Sequence, residues 1–273
     1  MSSRTRHAFL ALVCLAAGAA SAFAQALPTS QPKLMTIYRE QVKPGHAGPH
    51  AKVEAGWPAA FAKAKSPDYY LALASMTGPA EVWFISPWDS YTAWGKSTER
   101  DAANAELSAE QDRLSVADGE HLDAMRILET MARPDLSHGS YPDLNKQRYW
   151  EITTMRIRPG QEEAFAAAAK AYKAMASRGM PNARWRVYGI TAGMPGPTYL
   201  VFSSVGTFSQ FDTMLAEGMG AEKVMTAEER AIFKKFDTEA LISAETNRFR
   251  LDPTMSYVSA ETKAADPTFW SKK

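Results

Sequence analysis

The sequence predicts an α+β protein built as two consecutive units of one plan, and three recurrences predict it. Val42-Lys43-Pro44-Gly45 returns as Ile157-Arg158-Pro159-Gly160, 115 positions on. Gly78-Pro79 returns as Gly196-Pro197 after 118 positions, each ahead of an apolar strand pattern, Val82-Trp83-Phe84-Ile85 and Leu200-Val201-Phe202. Ser108-Ala109-Glu110 returns as Thr226-Ala227-Glu228, again after 118. Arg133 to Ser137 is echoed more loosely by Leu251 to Ser256. Landmarks in one order at near-constant spacing are the signature of a tandem repeat, here of roughly 115 residues.

The elements follow in order. Leu34 to Val42 reads as a strand. Gly45 to Lys65 reads as a helix, with Val53, Trp57, Ala60, Phe61 and Ala64 on one face. Tyr69 to Met76 and Ala80 to Ser86 are strands about the Gly78-Pro79 turn. Trp88 to Asn104 and Ser108 to His121 are helical, and Ala124 to Ala132 closes the unit. The second unit repeats this: strand Tyr149 to Arg158, then helix Gln161 to Arg178 with Phe165, Ala168, Ala169, Tyr172, Met175 and Ala176 on one stripe. Arg184 to Thr191 and Thr198 to Val205 are strands, Phe208 to Met219 and Ala227 to Leu241 helices, and Ser243 to Leu251 the last strand. Each unit is a split βαβ, ferredoxin-like arrangement, with an extra helix in its second half.

The first 24 residues read as a secretory signal peptide. Arg4 and Arg6 form a basic start, Ala8 to Ala20 is an apolar run too short to span a bilayer, and Ala22-Phe23-Ala24 is a small-x-small cleavage site. The expected organisation is 1–24 signal peptide, 25–33 N-terminal linker and 34–133 first unit. It continues with 134–148 linker, 149–252 second unit and 253–273 C-terminal extension. The expected location is the periplasm or the exterior, with no membrane partner once the leader is cleaved.

Cys14 is the only cysteine, so the exported chain holds none and depends on its core rather than on disulfides. That excludes thiolate catalysis, iron–sulfur clusters and thiolate metal sites. Removing Arg4 and Arg6 from the 31 basic residues leaves 29 against 30 acidic ones. With no basic run, nothing marks a nucleic-acid partner.

Trp150-Glu151-Ile152-Thr153-Thr154-Met155-Arg156-Ile157-Arg158-Pro159-Gly160, followed by Glu162-Glu163-Ala164-Phe165, resembles the first strand and helix of NIPSNAP-like and antibiotic-biosynthesis-monooxygenase-like proteins. These belong to the dimeric α+β barrel superfamily, in which two such sheets pack face to face. The resemblance therefore implies a single-chain α+β barrel made from two fused ferredoxin-like units. Chlorite dismutases and dye-decolourising peroxidases of this superfamily take an axial haem histidine from their second unit. This chain has no histidine after His138, so no haem and no other cofactor is expected.

Strand alternation gives the candidate ligand site. With Val82, Phe84, Leu200 and Phe202 placed beneath helices, Glu81, Trp83 and Tyr199 point into the barrel. Arg186 and Tyr188 join them if Val187 faces a helix. Such aromatic walls with one or two charges suit a small organic ligand. In an enzyme of the cofactor-independent monooxygenase or isomerase kind, arginine would steady developing negative charge, and a tyrosine or Glu81 would handle a proton. A non-catalytic binding protein and a structural protein with a filled barrel are the other readings, with self-association through the outer surface left open. His46 and His50 stand four apart, a metal-ligand spacing. The 115-residue offset sets His50 against Phe165 of the apolar stripe, so it reads as a buried helix residue and no metal is expected.

Overall fold

The computed structural model describes residues 27–271, and the expected signal peptide lies outside the described residues. Eight strands close into one antiparallel barrel in the order β1-β3-β2-β8-β5-β7-β6-β4. The first half supplies β1 (Leu34–Val42), β2 (Tyr70–Ser75), β3 (Glu81–Trp88) and β4 (Leu122–Ala132). The second supplies β5 (Tyr149–Ile157), β6 (Arg186–Ala192), β7 (Thr198–Val205) and β8 (Leu241–Tyr257). Each half forms its own four-stranded sheet, and two seams, β2 with β8 and β4 with β6, join the sheets within one chain.

Between β1 and β2 lie α1 (Ala47–Glu54) and α2 (Gly56–Lys63); between β3 and β4 lie α3 (Tyr91–Ala103) and α4 (Ala105–Gly119). The second half carries α5 (Glu162–Gly179), then α6 (Gln210–Lys223) and α7 (Ala227–Lys235), the last running into a π-helical turn, Phe236–Ala240. The extra helix expected in the later part of each unit is present in both, with α3 and α4 holding in the first half the place of α6 and α7 in the second. The single helix expected over 45–65 is two, because Pro58 has no N–H to offer the Glu54 carbonyl. None of the helices among the described residues is long and apolar enough to cross a membrane.

The recurrent Pro-Gly landmark has a physical cause. His46 N–H donates to the Lys43 carbonyl and Gln161 N–H to that of Arg158, both at 3.0 Å. The third residues of these turns, Gly45 and Gly160, have φ of +82° and +81°. Proline second and a positive-φ glycine third define a type II turn, which swings each strand into its helix.

Met35, Ile37, Leu73, Trp83, Leu128, Trp150, Ile152, Tyr188, Leu200, Phe202 and Phe249 pack together inside the barrel. On the outer surface Val42, Val82 and Phe84 pack with Phe61 of α2. Ile157, Val187 and Tyr199 pack with Phe165 of α5. The expectation that Leu200 and Phe202 lie beneath helices is therefore overturned. Ile37 pairs with Ile85 and Ile152 with Phe202, so β3 and β7 correspond with an offset of 117, one less than the Gly-Pro turns that precede them. A slip of one residue sends every side chain of a strand to the other face.

The segments expected to be a linker and an extension belong to the barrel. Leu27, Val258 and Trp270 are buried against its interior core, and Gln31 Nε2 donates to the Val187 carbonyl at 3.0 Å. β8 runs past residue 252 to Tyr257, and the tail beyond it forms α8 (Ala260–Ala265) and α9 (Pro267–Trp270). The Arg148 guanidinium lies 4.0 Å over the ring of Phe269 and ties α9 to the barrel.

Candidate functional site

The five residues expected in one pocket do not converge. Glu81 accepts from Arg39 Nε and Nη2 at 2.8 and 2.7 Å and from Trp83 Nε1 at 2.8 Å, so its carboxylate is fully engaged. Trp83 packs on Phe249 with ring centroids 5.1 Å apart, and the Arg39 guanidinium also lies 5.1 Å from its ring centre. Tyr188 does face inward, edge-on to Phe202, and burial drives its phenol far above the ordinary range. Arg186 lies on the same face of β6, but its guanidinium donates to the carbonyls of His138, Trp185 and Gly139 at 2.6, 2.7 and 2.9 Å. Tyr199 is a correction: it lies outside the barrel, stacked on Phe165 with centroids 4.0 Å apart. The slip in β7 is the reason.

Space is left at one mouth of the barrel. A cavity of ≈ 70 Å³ is lined by Leu27, Pro28 and Pro32 on one side and by Met35, Tyr70, Leu71, Ile85, Tyr141 and Leu144 on the other. A more open recess of ≈ 340 Å³ adjoins it, and Leu27, Pro28, Pro32 and Pro87 border both. Arg186 stands 5.5 Å from the Tyr141 ring, and burial lifts the Tyr141 phenol to about 12. None of the five expected residues lines the cavity; Arg186 lies behind it, against the Tyr141 ring.

A second constellation lies between the outer face of the first sheet and its helices. His50 on α1 is 1% exposed, and its Nδ1 is 2.7 Å from Asp118 Oδ1 on α4. A carboxylate only accepts, so Nδ1 carries a proton and the ring is oriented with Nε2 on its far side. Nε2 faces Glu40 Oε2 of β1 at 3.8 Å, beyond hydrogen-bond reach, and neither atom has a partner. Glu54, one turn along α1 from His50, is buried in the same group. Tyr70 Oη and Trp57 Nε1 are likewise buried without a partner, and both side chains interact with Glu54. Thus four of the six partnerless buried side-chain atoms found among the described residues belong to this one chamber.

Burial, then the negative charge of Asp118, lifts the Glu40 carboxyl to about 8. Burial, then Glu40 and Asp118, lifts Glu54 to about 9. Both are acids raised on folding, so between their unfolded values and those levels the folded protein holds protons that the unfolded chain has released. The stability they contribute is complete below their ordinary range and lost as pH climbs toward 8 to 9. In a chelator-containing buffer the urea midpoint is expected to fall between about pH 5 and about pH 9, by no more than roughly 1.4 kcal/mol per pH unit per group. A flat or rising profile would contradict these environments.

Sequence reasoning found His50 and its burial and set aside a pairing with His46, which faces His121, Nδ1 to Nδ1 at 3.0 Å. It missed Glu40, Glu54 and Asp118. The signal was present in the repeat: the 115-residue offset sets Glu40 on Met155 and Glu54 on Ala169, charge against apolar core.

No protein-family profile matches the chain, and no curated protein matches it. Solved structures do. An anthrone oxidase-like protein superposes with TM-score 0.56 at 14% identity, over 82% of this chain and 93% of its own. A candidate monooxygenase of Fusobacterium nucleatum gives 0.52 at 8%, over 81% and 92%. A mutant chlorite dismutase of Candidatus Nitrospira defluvii gives 0.49 at 11%, over 82% and 93%. The first two share the monooxygenase-like α+β barrel fold with this chain.

Proposed function

We propose that this chain is an exported single-chain barrel protein that binds a small apolar or aromatic molecule at the mouth of its barrel. The observation that carries the reading is the apolar cavity between β2, β3 and the segment Leu27 to Lys33, with a second recess behind the same segment. Displacing that segment would merge the two. The interior proper is packed with side chains, so the ligand belongs at the mouth rather than at Trp83. Export rests on Arg4, Arg6, Ala8 to Ala20 and Ala22-Phe23-Ala24, and is checked by N-terminal sequencing of the exported protein, which should begin near Gln25. Kinship with NIPSNAP-like proteins, and descent of both halves from one duplicated unit, belong to the same reading, supported by the recurrent type II turns and the common strand order.

A cofactor-independent oxygenase or isomerase is the second reading. The names of the structural neighbours favour it, as do the phenols of Tyr69 and Tyr141 and the carboxyl of Asp68 at the cavity. Oxygen uptake with a reduced aromatic ketone would separate it from binding alone.

Intrinsic fluorescence titrated against a panel of small aromatic compounds tests the binding. Leu144→Trp, which fills the cavity from the linker, should weaken saturable binding by about tenfold or more without lowering the melting temperature. Arg186→Ala should do the reverse, lowering stability by roughly 2–3 kcal/mol because three loop carbonyls lose a charged donor. No saturable change with any compound, or binding indifferent to Leu144→Trp, would refute the mouth as the site.

A further inference from the structure

We propose that Glu40, His50 and Glu54 bind one divalent first-row transition-metal ion, with Asp118 as the residue that positions the imidazole. His50 Nε2 and Glu40 Oε2 face each other at 3.8 Å, and neither has a hydrogen-bond partner. Ligands each about 2.1 Å from one ion can stand at most about 4.2 Å apart, so an ion fits between them. One donor atom from each of Glu40, His50, Glu54 and Asp118 lies within 4.8 Å of all the others. Asp118 is already used on the far side of the ring, where its carboxylate accepts from Nδ1. That contact fixes the tautomer and aims Nε2 inward, the arrangement by which an outer carboxylate orients a metal-binding histidine.

The second half of the chain shows that the fold does not need these groups. At the equivalent places it has Met155, Phe165, Ala169 and Phe236, which pack as part of an ordinary apolar core. Phe165 meets Phe236 there, with centroids 6.1 Å apart, as His50 meets Asp118 in the first half. Burying three carboxyls and an imidazole where four apolar side chains suffice costs stability, and ion binding accounts for their presence. Imidazole together with carboxylates favours ions of the zinc or manganese kind over calcium or magnesium. The partly buried His46 and His121 flank the ends of these helices, the first four residues before His50 and the second three after Asp118.

The test is calorimetric titration of chelator-stripped full-length protein with Zn²⁺ and, separately, Mn²⁺. The protein should bind about one ion per chain of at least one of the two metals, and loading should raise the melting temperature. Glu54→Gln and His50→Gln, both close in shape, should each weaken binding roughly a hundredfold or more while the circular dichroism stays that of the wild type. Asp118→Asn should weaken it roughly ten- to a hundredfold and shift the visible absorption of the Co²⁺-loaded protein, a change that mere loss of stability would not produce. His46→Ala should leave stoichiometry and affinity as they are. No binding of either metal by the wild type would overturn the proposal. So would binding that survives Glu54→Gln and disappears with His46→Ala, which would move the ion to the surface histidine pair.

Discussion

Aspartate in place of Ile157 is expected to remove most or all of the stability of the protein. Ile157 is fully buried at the end of β5, in the core layer of Phe165, Tyr199 and Phe236. The backbone around it is already satisfied, since Ile157 N–H donates to the Pro197 carbonyl at 2.9 Å. A carboxyl placed there finds neither water nor a donor, at a cost on the order of 4–5 kcal/mol or more. A whole domain is stable by only about 5–15 kcal/mol. Val42→Asp, at the matching end of β1 among Val82, Phe84 and Phe61, should behave alike. Urea denaturation measures both, and near wild-type midpoints would refute the outward facing of these two strand ends.

The buried acid–histidine chamber should give the second large effect, and its sign should depend on how much of the chamber is replaced. His50→Ala removes the partner of Asp118 and leaves a buried carboxylate alone, at an expected cost of about 3–5 kcal/mol. Converting the whole set to its second-half counterparts (Glu40→Met, His50→Phe, Glu54→Ala and Asp118→Phe together) should instead match the wild type or exceed it by about 1–4 kcal/mol. Chemical denaturation in chelator decides it. If the fourfold variant is as damaged as His50→Ala, the two halves do not share one packing plan and the chamber is part of what holds the fold.

The plan of the fold was legible because its landmarks are backbone devices. A Pro-Gly pair that forms a type II turn has one structural meaning wherever it falls, so Gly45 and Gly160 align the halves without reference to side chains. Strand facing was less legible, because it depends on counting. The turns at Gly78-Pro79 and Gly196-Pro197 stand 118 apart while the strands after them stand 117 apart, and that single residue inverted Tyr199, Leu200 and Phe202. Trp83 and Tyr188 came out facing inward because Val82, Phe84 and Val187 do lie against helices. The chamber was the least legible, since Glu40, His50 and Asp118 come from a strand and two helices that only the packed sheet brings together. Glu40 also sits in a run, Arg39-Glu40-Gln41, that reads as an exposed strand end. Nothing local reveals that a helix covers it.

The central claim is that one chain closes the barrel, and the seam between β4 and β6 tests it most directly. Met131 and Gly189 are Cα partners across that seam. Directly opposed residues of antiparallel strands lie about 4.5–5.5 Å apart, within the span of a disulfide. Met131 is exposed, and a side chain at Gly189 would meet the Tyr199 ring at 3.5 Å, an ordinary contact. Cys14 is the one native cysteine, so the chain from Gln25 onward has no other thiol to interfere. Met131→Cys with Gly189→Cys, oxidised at low protein concentration, should give a monomer with one internal disulfide and a raised urea midpoint, identified by intact mass. Disulfide-linked dimers, or thiols that stay free under the same oxidation, would show that the seam is made between chains or not at all.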